Sequence, residues 1–207
     1  VLARQQPIVM LANSQREIER ALDLAKEFNL RAVIAGGSEA WKVAGRLKAE
    51  NVPVLLSINF PRRTAAPAPD AEPEAIRVLR ERVEAPKGPS VLQAAGVTYA
   101  FHSGGAFGDF LANVRRAVTA GLTQEQALRA MTTTPAQLFG VADRLGALEA
   151  GRIANLTITK GDLFAAGTTV SQLFIDGEPV TIAAAPAVPA AGGGRGARPG
   201  ALDGQWT

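Results

Sequence analysis

Apolar positions along the first sixty residues follow two alternating rhythms. PIVMLA from Pro7, RAVIAG from Arg31 and VPVLLS from Val52 are short, nearly unbroken apolar runs, which read as strands buried on both faces. Between them the apolar residues recur at helical spacing. Ile18, Ala21, Leu22, Ala25 and Phe28 share one helix face, and Ala40, Val43, Ala44 and Leu47 share the next. Ser14, with Glu17 three residues later, predicts a capping box at the first helix. Ser38 is placed to cap the second. Strands of this kind alternating with amphipathic helices predict an α/β fold with a parallel sheet.

The pattern then loosens from Pro61 to Pro73, rich in Ala and Pro, before a charged helix around Glu74 to Glu84 and the stretch PKGPSVLQAAG. The fourth strand, VTYAFHS, comes only after this long excursion, and such excursions at the C-terminal ends of parallel strands commonly carry binding loops. A helix is expected from Phe107 to Ala120, ended by Gly121. LTQEQALRAMTTTPAQLFG predicts two short helices. Thr123 and Gln126 box the first, and Thr134-Pro135 starts the second with proline at its first helical position. Beyond it the period becomes two. ANLTITKGD and VSQLFIDGEPV alternate as strands, with a hairpin turn at Asp176-Gly177. From Ile182 to Leu202 the chain is Ala, Pro and Gly, the composition of a linker, and DGQWT with Trp206 reads as the opening of a further domain.

Composition changes this picture little. With 207 residues, 47% of them hydrophobic, the chain can bury a real core. No apolar run approaches the roughly 18 residues of a membrane span. Cysteine is absent, which excludes disulfides, thiol nucleophiles and cysteine-bound metals. Net charge is only +3, and the densest basic group, Arg62-Arg63, has no flanking aromatic ladder, so no nucleic-acid partner is expected.

The segment from Gly121 to Val180 carries a specific signature: Gly121-Leu122-Thr123, Glu125, Ala127-Leu128, Thr134-Pro135-Ala136, Leu138, Gly140, Leu145-Gly146, Leu148-Glu149, Gly151, Asn155-Leu156 and Asp176-Gly177. It resembles the closing segment of the amidohydrolase superfamily, in the imidazolonepropionase-like branch, with Asn155 where the family usually has Asp. The NSQREI and GGSEAW openings resemble the fifth and sixth strand–helix steps of that family's barrel. VPVLLS resembles the seventh and AGVTYAFHSGG the eighth. The resemblance implies a partial (β/α)8 TIM-type barrel, about the last four strand–helix units, plus C-terminal strands of a small accessory β domain and a disordered tail. The boundaries expected are 1–140 for the half-barrel, 141–181 for the β strands and 182–207 for the linker and the start of a further domain. A barrel of this kind takes about 250 residues, so the chain is expected to be completed by an upstream barrel half of the same protein.

In such barrels chemistry sits where strands end. The resemblance implies a metal-binding His near Leu11 or Ala12, another near Gly36, and at Gly104 an Asp that ligates metal and takes a proton from the attacking water. None of these donors is present. A catalytic site using one or two divalent metals, usually zinc, needs three or four N or O ligands. No metal ligand is therefore assigned, and no cofactor is expected on this chain alone. His102, the only histidine, stands two residues before Gly104 and is the candidate catalytic residue. The competing reading makes it a hydrogen-bonded polar group that fills space beside the glycines. Asn13, Ser38, Asn59 and Ser103 at the strand ends are the candidate substrate-binding residues. Gly104-Gly105 before a helix could also form an anion-binding N-terminus. Asp109 is read as a first-turn residue favouring the helix dipole. Trp41 is read as packing between helices.

The function implied is the C-terminal part of a hydrolase of carbon–nitrogen bonds other than peptide bonds, with a degenerate metal site and no activity in this chain by itself. The alternative is a non-catalytic barrel that binds a small molecule or a partner within a multidomain exported protein. By the same resemblance an exported or periplasmic location is favoured.

Overall fold

The computed structural model describes residues 6–63 and 73–182. The expected linker and tail, with Trp206, and the middle of the Pro61–Pro73 stretch lie outside the described residues. Four parallel strands form one sheet in sequence order: β1 (Ile8–Ala12), β2 (Ala32–Gly36), β3 (Val54–Ser57) and β4 (Tyr99–His102). Each sequence-predicted strand is in place. The crossovers are α1 (Gln15–Glu27), a 3-10 turn at Ala40–Val43 running into α2 (Ala44–Ala49), and the pair α3 (Ile76–Glu84) and α4 (Gly88–Ala94). After β4 come α5 (Phe110–Thr119), α6 (Gln124–Met131) and α7 (Thr133–Leu138).

Side-chain alternation divides the sheet into two faces. Ala12, Ala32, Ile34, Val54, Leu56, Tyr99 and Phe101 join Ile18, Leu22, Leu47 and Leu92 of the helices in one core. The other face carries Val9, Leu11, Leu55 and Ser57. There Leu11 is 78% exposed and Val9 is 51% exposed. β1 and β4 are both edge strands of this sheet.

Local sequence explains the helix starts. At α1 the Ser14 hydroxyl accepts from the Glu17 amide, while Glu17 accepts from the Asn13 and Ser14 amides at 2.8 and 3.0 Å. Those amides hold the Glu17 carboxyl below its ordinary pKa, the Ser14 amide most. Thr123 and Gln126 repeat the device at α6.

Three local expectations need correction. Ser38 does not cap its helix. The chain enters through a 3-10 turn whose flanking residue is Glu39, and the Ser38 hydroxyl donates instead to the Asn13 carbonyl at 3.1 Å. Pro135 is the third residue of α7 rather than the first, a position that also has no intrahelical use for an N–H. The helix expected from Phe107 is a 3-10 turn over Phe107–Asp109 that becomes α-helical at Phe110.

A second, antiparallel sheet holds β5 (Leu156–Thr159), β6 (Val170–Ile175) and β7 (Glu178–Val180). The β6–β7 hairpin turns at Asp176 and Gly177, both at positive φ (52° and 83°), as the sequence predicts. Arg115 of α5 ties this unit to the first by donating to the carbonyls of Leu163 and Thr168.

Candidate functional site

The C-terminal ends of β1 to β4 lie side by side, because the strands pair in register: Ala12 with Gly36, Gly36 with Leu56, and Ser57 with His102. The three positions where the resemblance implies metal ligands therefore lie along one rim. Leu11 points an apolar side chain into solvent. Gly36 has φ +93°, and a Cβ built there would collide with Asn13 Oδ1. Gly104 has φ +60°, where a Cβ would collide with Ser57 Oγ and lie 3.1 Å from Asn59 Cβ. Two of the positions thus combine a backbone conformation that L side chains rarely adopt with space already filled by a neighbour. These residues do not fit a divalent ion. Among the described residues no three His, Asp or Glu side chains converge.

His102 ends β4. Its Nδ1 accepts the Gly104 amide at 3.1 Å, so a neutral ring carries its proton on Nε2. Nε2 is buried and has no hydrogen-bond partner among the described residues. Burial pushes the pKa of the ring below its ordinary value, and the nearby Leu55 carbonyl offsets only part of the shift. The geometry leaves neither nitrogen a free lone pair. Nδ1 is engaged by an amide, and Nε2 is a donor in this tautomer. As placed, the ring can neither accept a proton from water nor coordinate an ion without breaking its bond to Gly104. Strand alternation does not carry past His102 to Gly104, because the chain turns there.

The glycine pair offers no anion nest either. The Gly104 amide serves His102 and the Gly105 amide serves Ser103 Oγ at 3.3 Å, while the α-helix opens only at Phe110. Asp109 is held in a bidentate pair with Arg62, both contacts at 2.9 Å, which pins the segment after β3 against the start of α5. Arg116 adds to that pin from above the Phe60 ring, 5.5 Å from its centre.

Three of the four candidate binding residues do come together. Asn13, Ser38 and Asn59 line a cavity of about 290 Å³, with Ser57, Trp41 and Glu81. Its floor is Leu56, Phe60 and Leu92, which belong to the core between sheet and helices. Ser103 is not part of it. Trp41 packs between helical segments as expected, and Gly88 admits it, since a Cβ there would sit 3.1 Å from the indole Cδ1. Glu81 was missed by the sequence reading. It comes from α3, and the only signal was that the excursion carrying α3 follows a strand end.

A family model described as the amidohydrolase family matches residues 71–180, more than half of the chain. The chain belongs to the amidohydrolase family. Among solved structures it is similar to an amidohydrolase from Thermotoga maritima, at 26% identity and a TM-score of 0.72, over 87% of this chain and 45% of that one. A second amidohydrolase matches at 15% identity and a TM-score of 0.64, over 88% and 46%. A prolidase complexed with N-methylphosphonate-L-proline matches at 19% and 0.60, over 83% and 44%. The chain thus spans less than half the length of these amidohydrolases, and its four-stranded sheet is the α/β architecture of part of their TIM-type barrel. A comparison with curated proteins found no match.

Proposed function

We propose that this chain is the C-terminal half of an amidohydrolase-family barrel whose rim no longer grips a metal ion, so that it supplies no hydrolytic centre of its own. One observation carries the reading. At Gly36 and Gly104 the donors are absent and the space they need is taken by Asn13 and Ser57. A lost ligand in an otherwise unchanged site leaves a hole, whereas here the hole is closed. His102 supports the same reading, since its ring is engaged as an acceptor for a turn amide. In this reading His102 is a structural group, and Asn13, Ser38 and Asn59 belong to a cavity that binds a small molecule without turning it over.

The partner proposed is a complementary barrel half from the same protein. The support is physical: one sheet face exposes Leu11 and Val9, and β1 and β4 both end the sheet as edge strands. Metal analysis of the purified full-length protein, after dialysis against zinc and then buffer, tests the central claim. The expected result is no zinc retained through this half, with retention unchanged in a His102→Asn variant. Stoichiometric zinc that His102→Asn releases would overturn it.

A further inference from the structure

The cavity of Asn13, Ser38 and Asn59 shares Asn13, Ser57 and Asn59 with the rim and reaches from there to a floor on the helix side of the sheet. Resting on the reading that this cavity binds a small molecule, we propose that its ligand is a small uncharged polyol of about one sugar ring.

Charge selects the class. Among the described lining residues there is no Lys, Arg or His, and Glu81 is the one ionisable group. An anion entering would lose its hydration, meet a carboxylate and find no cation among the described lining residues. A cation fares no better. Arg77 already stands 3.7 Å from Glu81, and the Lys42 ammonium lies 5.4 Å from the Trp41 ring centre, so positive charge occupies both features that would attract it. A neutral ligand escapes both penalties.

The hydrogen-bonding groups select further. Among the described residues neither the Asn13 nor the Asn59 carboxamide has a protein partner. Each offers two donors and an acceptor. Hydroxyl groups both donate and accept, so a polyol satisfies such a mixed set whichever way each amide is turned. Glu81 adds an acceptor for a charge-assisted bond from a hydroxyl. Trp41 contributes apolar indole surface to the lining, against which the C–H groups of a sugar ring can rest. A volume of about 290 Å³ is at the small end for ligand sites and holds one such ring.

The chain has two tryptophans, so a Trp206→Phe background leaves Trp41 as the sole indole reporter. Glucose, galactose, glucuronate and protonated glucosamine are titrated against its fluorescence, with a chelator present throughout. The expected result is a saturable change with at least one neutral sugar, and binding about tenfold weaker for the two charged analogues. Asn59→Ala should weaken binding about tenfold, the value of one lost hydrogen bond. Asn59 is exposed, so thermal unfolding should stay unchanged and separate lost contact from lost fold. The proposal is overturned if no neutral sugar binds, if a charged analogue binds as tightly, or if Asn59→Ala binds as the parent does. Zinc found by metal analysis would defeat the metal-free reading above while leaving this result intact.

Discussion

His102 is the only histidine of the chain, so it dominates any titration between pH 5 and 7. Its folded pKa is depressed by burial, whereas the unfolded ring titrates near the ordinary value of about 6.5. Between those two values the unfolded chain holds the extra proton, so acid favours unfolding there. Stability is full above about pH 6.5 and falls as the pH drops toward the folded value. An Asn at this position can accept the Gly104 amide and cannot titrate. His102→Asn should therefore flatten urea-unfolding midpoints measured across pH 5 to 7, and an unchanged slope would sink the assignment. Gly104 makes the complementary case. At φ +60°, with Ser57 Oγ in the way, Gly104→Asp should cost about 1–2 kcal/mol of stability and still retain no zinc in metal analysis. Pairing it with Ser57→Gly should recover part of the loss, because the two side chains claim one space. The absence of donors at Leu11, Gly36 and Gly104 was legible in the sequence. That Asn13 and Ser57 stand where side chains at Gly36 and Gly104 would lie was not, since the contacts join residues 23 and 47 positions apart on different segments of the chain.

Helices here are set by their ends as much as by their faces. The two boxed helices, α1 and α6, start where the sequence places them, because Ser14–Glu17 and Thr123–Gln126 satisfy the first orphan amides from within the local chain. Ser14→Ala should lower stability by about 1 kcal/mol in denaturant titration, and Thr123→Ala by a similar amount. An effect on α1 circular dichroism without any stability change would argue against the caps as the source. Sequence reading failed where a neighbouring strand loop intervened. Ser38 has the residue type of a cap, yet its hydroxyl reaches the Asn13 carbonyl after β1, and the helix begins as a 3-10 turn instead. Asp109 does stand in the first turn of the helical segment, as read, and it also pairs with Arg62, 47 positions away, a partner local sequence does not reveal. Local capping chemistry is readable when both partners lie within one turn of chain, and it is overridden when tertiary hydrogen bonds compete for the same oxygen.

At the level of the whole molecule, the four parallel strands were readable from apolar runs broken by helical periods, because strands covered by helices lose the polar alternation of an open sheet. The same rule isolates what is unusual about this sheet. Leu11 is apolar as for a doubly covered strand, yet it is 78% exposed, and Val9 beside it is 51% exposed. An apolar strand face in water, bordered by parallel edges that no described strand pairs, is a surface built to be covered. The chain by itself should therefore bind the dye ANS in the folded state and associate as concentration rises in sedimentation velocity. Leu11→Asp removes apolar area at a largely exposed position, so it should reduce both effects and leave thermal unfolding nearly unchanged. A Leu22→Asp control, at a fully buried helix position, should instead abolish folding. If Leu11→Asp destabilises the chain as Leu22→Asp does, the face is already covered within this half and no barrel partner is called for. If association vanishes with Leu11→Asp while the fold persists, the uncovered face itself drives the pairing, as closure of a barrel requires.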